Sequence, residues 1–355
     1  MRPYLAPFAC LCLALLLPAA GLAQNCQPAD ILLNGQADID AFQATHGPCD
    51  SVTGDLLVEA IESDISNLYG LAGIRRIGGN FFVSETLGLQ SLHGLEALAE
   101  VGGNLFMFHN FGLLAPDGLS GLQHVGGHFG LYANLPMTNM DALTSLQSVG
   151  GMLAISDAPS LVQVDGLRSV ETVGNHLVVL LNHSLESIEG LRNIRHVGGE
   201  LIVHLNDELR SIDGLNALEH VGIGVRIWQN PVLEDIDALA RLAHVGQDVY
   251  LRDNPVLYDC SGLYRALDAT DHALPGPGLP PVPDVARDID IGGNGAGCNS
   301  IEEILTLPAR SAPPLAVPGL GAWATLALAM LVALVALRRL FGATISVQIT
   351  GDRPQ

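Results

Sequence analysis

Leu201-Ile202-Val203-His204-Leu205-Asn206 is the stretch that decides the fold. Apolar residues alternate along it and an amide closes it, the period-two signature of a strand. Leu105-Phe106-Met107-Phe108-His109-Asn110 has the same form, apolar-x-apolar-x-x-Asn. Downstream of the first stretch come Leu209, Ile212, Leu215, Leu218 and Val221, and the preceding unit offers Leu185, Ile188, Leu191, Ile194 and Val197 at the same places. These five positions, three apart, are expected to point into one core.

The pattern recurs with a fixed period. A glycine after Ile or Val stands at 78, 102, 126, 150, 174, 198, 222 and 246, and a leucine at 71, 95, 119, 143, 167, 191, 215, 239 and 263. Self-similarity at 24 residues is the mark of a solenoid or array. No unit can bury its apolar positions alone, but coils stacked about 4.8 Å apart give a continuous core and a parallel sheet. The expectation is a mainly β, right-handed solenoid of about ten 24-residue coils, capped at both ends because stability comes from neighbours.

Two further series sharpen this expectation. Asn110, Asn134, Asn182, Asn206, Asn230 and Asn254 form a ladder interrupted by Ala158, and inward amides there can satisfy backbone groups of the turn. Asn182-His183-Ser184 is formally a glycosylation acceptor, but membership of the ladder makes Asn182 structural. The first glycine of each pair never changes, whereas the second gives way to Asn175, Ile223 and Gln247. That predicts either a positive φ or a backbone too close for a Cβ at the first position.

The repeat body spans 54–305, after an N-terminal cap at 24–53 in which Asp38 to Ala44 is expected to form a small helix. Asp288-Ile289-Asp290-Ile291-Gly292-Gly293-Asn294 repeats the strand form, so the Pro-rich piece within 266–286 reads as an insertion loop. Ser300-Ile301-Glu302-Glu303 is a capping box opening a terminal helix. Four cysteines, Cys26, Cys49, Cys260 and Cys298, allow three pairings. One pair at each end of the repeats points to Cys26 with Cys49 and Cys260 with Cys298, two pairs of buried free thiols being the alternative.

Gly103-Asn104-Leu105, Val125-Gly126-Gly127, the Gly-Leu steps, Cys49-Asp50-Ser51-Val52-Thr53-Gly54 and Gly297-Cys298-Asn299-Ser300 together resemble bacterial leucine-rich-repeat-like proteins of the receptor L-domain type. The resemblance covers about residues 26 to 305 and implies the solenoid. For function it implies only a range of roles, since such domains serve recognition, adhesion and wall organisation alike.

Both ends carry addresses. Residues 1–23 read as a signal peptide: Arg2, the apolar Leu5 to Leu17, then Gly21-Leu22-Ala23, with Cys10 and Cys12 leaving with it. After a linker at 306–318, Gly319 to Leu337 is an uncharged apolar run long enough to cross a membrane. Arg338 and Arg339 open a basic cytoplasmic tail at 338–355 and place the repeats outside. Pro318, Leu320 and Trp323 with this run and the arginine pair resemble C-terminal sorting signals of the type opening Ile-Pro-Thr-Leu in Gram-negative bacteria, although Gly319 and Ala322 depart from it. That resemblance implies a sorting transpeptidase as partner, with a plain membrane anchor through 319–337 as the alternative.

Composition excludes several functions. The formal charge is −21 and all 16 basic residues are arginine, which removes lysine nucleophiles and repels phosphate backbones, so no nucleic-acid partner is expected. The motifs of serine hydrolases, zinc peptidases, P-loop proteins and dithiol oxidoreductases are lacking, and neither enzyme activity nor a cofactor is expected. His196, His220 and His244 share one repeat position, but Ser148 and Thr172 occupy it elsewhere, which favours a solvent-facing file over a metal site. Asp288, Asp290 and Asn294 faintly echo a calcium loop, and strand alternation accounts for them better.

The outward strand positions read Phe82 and Ser84, Phe106 and Phe108, Gly130 and Tyr132, Ala154 and Ser156, Val178 and Leu180, Ile202 and His204, Arg226 and Trp228, Tyr250 and Arg252. An exposed face this apolar marks an interaction surface. Two zones are the ligand-binding candidates: Phe82, Phe106, Phe108 and Tyr132, and Arg226, Trp228, Tyr250 and Arg252. The expected function is a non-catalytic cell-envelope module that binds a protein or glycan. The rival reading is a structural component that self-assembles through the same face.

Overall fold

The computed structural model describes residues 24–59, 65–267 and 288–307. All lie in the first of two compact units, residues 1–313; the second, 314–355, falls outside the described residues. The expected signal peptide at 1–23, most of the 266–286 insertion, the linker beyond Leu307 and the apolar run at 319–337 fall outside as well.

The body is a solenoid of stacked coils. Eleven strands form one all-parallel sheet, from Ile31–Leu33 through Leu105–Phe108, Leu201–His204 and Asp248–Arg252 to Ile289–Gly292. Each pairs with its counterpart one coil away, as Leu177 does with Leu201 and Leu201 with Val225. The first two steps take one residue more: Ile31 stands beside Leu56 and Leu56 beside Phe81, whereas Phe81 stands beside Leu105. Ile289 joins beside Val249, 40 residues earlier in the chain, where the other late steps of the sheet take 24.

A second parallel sheet was not expected. It has nine strands of two residues each, running from Ser51–Val52 to His244–Val245. Two residues are too few to show alternation, so periodicity cannot reveal such strands. Between the sheets most coils carry a 3-10 turn, such as Asp165–Leu167, Glu189–Leu191 and Asp213–Leu215.

The core is one column of apolar side chains. Leu119, Leu143 and Leu167 have 0% exposure, as do Leu209, Ile212, Leu215, Leu218 and Val221. The invariant glycines explain how the coils come so close. Gly126 and Gly198 keep ordinary backbone angles, but a Cβ on either would fall on the carbonyl oxygen of the preceding coil's glycine, Gly102 or Gly174. Of the two reasons the sequence left open, close approach is the one that applies here.

The asparagine ladder ties coil to coil. Each amide is fully buried; Asn206 Nδ2 donates to Val179 O at 3.0 Å, and Asn206 Oδ1 accepts from Asn182 N at 3.3 Å. Asn182 is therefore inside the ladder and closed to glycosylation. Just before each ladder position the chain takes a left-handed turn on a residue that is not glycine: Leu181, Leu205, Gln229 and Asp253 have φ of 58, 52, 53 and 56°. That turn ends the strand and swings the next side chain inward.

At the N-terminal end the single expected helix is two, Gln36–Asp40 and Phe42–His46, with Ile39 and Phe42 plugging the core and the Cys26–Cys49 disulfide behind them. At the other end Cys260 and Cys298 are joined, so both pairings read from the sequence hold. Ser300 Oγ accepts from Glu303 N at 3.1 Å to start the helix Ile301–Thr306. The Glu303 carboxylate reaches Asn299 N at 3.0 Å, one residue beyond the usual capping-box donor. That helix ends at Thr306, one residue into the expected linker.

Candidate functional site

Parallel register turns the outward positions into two rows. Ile202, Arg226, Tyr250 and Asp290 are neighbours in one; His204, Trp228 and Arg252 are neighbours in the other. Phe82 and Phe106 belong to the first row, and Phe108 and Tyr132 to the second. All eight candidate residues thus lie on one face, in the two expected zones, and all are half-exposed.

In the aromatic zone Phe82 and Phe106 stack at 5.8 Å, and Phe106 meets Tyr132 at 5.9 Å. His128 also stacks on Phe106, at 6.4 Å, while its Nδ1 accepts from Met152 N at 2.7 Å. Burial raises the pKa of the Tyr132 phenol.

The Arg-aromatic zone is wired internally. Arg226 Nε donates to Glu200 Oε1 at 2.8 Å and Arg226 Nη2 to Asp248 Oδ2 at 3.1 Å; Arg252 Nη1 donates to Asp290 Oδ1 at 2.7 Å. The carboxylates these arginines meet belong to the chain itself. His204 lies against the Trp228 indole with ring centres 3.8 Å apart, and Tyr250 approaches Trp228 edge-on at 5.8 Å. Burial lowers the pKa of His204, although Nδ1 shares a 2.9 Å hydrogen bond with Trp228 O that favours its proton. Trp228 therefore offers its edge and the arginines their outer N–H groups, in a zone where opposite charges nearly balance.

Sequence reasoning missed His204, Glu200, Asp248 and Asp290 as members of this zone. Side-by-side register creates those contacts, and the residues are scattered along the chain. The face is also less open than expected at its middle, where Ala154 and Ser156 are 1% and 7% exposed. Large apolar residues are more exposed on the turn after the strand: Leu87, Phe111 and Leu135 recur there one coil apart, with Leu114 nearby. Their 24-residue spacing was a usable signal. His109 links turn to sheet, meeting Phe108 edge-on at 5.9 Å and stacking on Phe111 at 6.3 Å.

Among the histidines that share a repeat position, His220 and His244 stack at 4.4 Å, and His196 tilts against His220 at 6.1 Å. Among the described residues no group of three or more His, Cys, Asp or Glu could hold a metal ion. Nor is any described helix long and apolar enough to cross a membrane. Asp290 sits within the strand Ile289–Gly292, its carboxylate taken by Arg252.

The fold and this face define a coil-stacked, disulfide-capped parallel-β repeat protein. The chain matches no model of a known protein family, and no curated protein matches it in sequence.

Proposed function

We propose that the protein is a non-catalytic binding or adhesion module of the cell envelope that presents its sheet face to a protein or glycan. The observation that carries this reading is the register. It gathers residues from Phe82 to Arg252 into two half-exposed aromatic zones on one side of a rigid scaffold. Sequence-distant aromatic and arginine side chains brought together in this way have the composition of interaction hot spots. Disulfides at both caps support an exported location. The reading takes residues 1–23 as signal peptide and 319–337 as a membrane anchor or sorting helix, acted on by a sorting transpeptidase. It also takes the coils to be of the receptor L-domain type.

The test is capture from glycan and protein arrays by the purified body, residues 24 to 305. Replacing Phe106 and Trp228 with alanine should abolish the captured signal while the melting curve keeps its cooperative shape. Undiminished capture by that double variant rules out the face. The rival role, self-assembly through the same apolar surface, predicts that light scattering of the body shows species growing with concentration. A monodisperse monomer refutes the rival.

A further inference from the structure

The Arg-aromatic zone offers no unopposed charge, yet it is rich in spare hydrogen-bonding atoms. Each arginine there is already met by carboxylates of the chain: Arg226 by Glu200 and Asp248, Arg252 by Asp290. Three acids thus face two bases, in a chain of formal charge −21, so an anionic ligand finds no free cation and is repelled from afar. The pairs nevertheless leave groups over. Arg226 bonds through Nε and Nη2 and Arg252 through Nη1, which leaves Nη1 of the first and Nη2 of the second to donate elsewhere. Asp248 Oδ1 and Asp290 Oδ2 remain to accept.

The rings beside these pairs are arranged as a corner. His204 covers one face of Trp228 and Tyr250 stands edge-on to it, the Tyr250 and Trp228 planes 83° apart. Trp228 therefore shows its rim, whereas no further ring among the described residues stacks on Tyr250. Register sets Tyr250 between Arg226 and Asp290, one rung to either side. A carbonyl only accepts, so the His204 Nδ1 bonded to Trp228 O carries the proton and Nε2 is an acceptor. Burial, by lowering the pKa of His204, keeps that ring uncharged.

We propose that this zone binds an uncharged glycan, with one sugar ring on Tyr250 and its hydroxyls held by the two arginine–carboxylate pairs. The inference rests on the sheet-face reading above and narrows it to one ligand class at one of the two zones. A hydroxyl both donates and accepts, so neighbouring hydroxyls match an arginine N–H set beside a carboxylate oxygen. The flat side of a sugar ring is a patch of C–H groups, slightly positive, which the negative face of an aromatic ring attracts. The aromatic zone at Phe82, Phe106, Phe108 and Tyr132 has the rings without the ion pairs, which is why the glycan belongs to the other end of the face.

The test uses the full-length protein in a phosphocholine detergent, whose head group contains no sugar. Its retention is measured on immobilised gluco-, manno- and N-acetylglucosamine oligomers, and on oligogalacturonate and heparin oligomers. The parent should be held by at least one uncharged series and by neither acidic one. Tyr250→Ala should weaken that retention about tenfold or more, the scale of a hot-spot aromatic, while Tyr69→Ala, at an exposed tyrosine off the sheet, leaves it unchanged. Asp290→Asn releases Arg252 from its carboxylate, so the ratio of uncharged to acidic retention should fall about tenfold.

No retention on any uncharged series overturns the proposal, as does retention that Tyr250→Ala leaves intact. An unmoved ratio in Asp290→Asn overturns it too, and that variant decides the matter even if Tyr250→Ala melts lower. Protein capture that the Phe106, Trp228 double variant loses, without any glycan retention, sinks this inference alone and leaves the sheet-face reading standing.

Discussion

The ring of Tyr132 lies across the Cα of Gly130, two residues earlier on the same strand. A Cβ there would meet Tyr132 Cε2 and would come within 2.7 Å of Phe106 Cδ1. Gly130 is thus the hollow into which the aromatic zone folds. Gly130→Ala should push the flexible ring out into water at a stability cost of about 1–3 kcal/mol. The Tyr132 phenol, now raised by burial, should then titrate at lower pH. Ultraviolet titration against a Tyr132→Phe control checks this, and an unaltered curve would show that the ring never covered Gly130.

Ala158 breaks the asparagine ladder yet keeps its place: its N–H donates to Asn182 Oδ1 at 3.2 Å, as the asparagines do. Restoring the amide with Ala158→Asn should add about 1 kcal/mol, the net worth of a hydrogen bond. Asn206→Ala should cost about 2–3 kcal/mol, since it strips partners from the buried Val179 O and Asn182 N. Urea unfolding of both variants gives the two signs. Destabilisation by Ala158→Asn would mean the gap is filled by packing that an amide cannot replace.

Burial, reinforced by the nearby charges of Asp213, Asp237 and Asp259, raises the pKa of Asp235. The folded chain therefore holds this proton at a pH where the unfolded chain has released it. The resulting stability is fully present below the unfolded value and is lost as pH rises through the raised one. Asp235→Asn keeps an oxygen for the 3.4 Å bond from Asp237 N, so it should melt higher than the parent at pH 7. The advantage should vanish below about pH 4. An advantage that persists unchanged in acid would assign the effect to packing.

The left-handed turn at Gln229 gives a backbone test. Left-handed geometry costs a non-glycine residue roughly 1–2 kcal/mol. Gln229→Gly relieves that cost but gives back about 0.5–1 kcal/mol in unfolded-chain entropy, so it should be neutral or slightly stabilising. Gln229→Val, branched at Cβ, should lose at least about 1 kcal/mol. Equal melting temperatures for the two would contradict the observed φ of 53°.

Much of the solenoid was legible because its causes repeat. Leu119, Leu143 and Leu167 announce a column, Gly126 and Gly198 a close approach, and Asn206 a ladder, each at a fixed interval. The second sheet was not legible, since pairs such as His196-Val197 are too short to show a period. The left-handed turns were hidden as well, because Leu181, Leu205 and Gln229 have nothing chemical in common; position in the coil imposes their conformation. At the site the sequence placed Arg226 and Trp228 correctly on the face but could not tell that Glu200 and His204 already engage them. Those contacts run sideways, between coils, where only register decides who meets whom.

The rungs bond only to the rungs on either side, with glycine against glycine and amide to amide. Length in this molecule therefore comes in whole steps. A copy of residues 177–200 spliced in after Glu200 would close each seam as before and lift everything beyond it by one rung, about 4.8 Å. A splice of any other size would have to bulge outward. The distance between the aromatic and Arg-aromatic zones is accordingly a countable quantity, which gene duplication can lengthen without redesigning either zone.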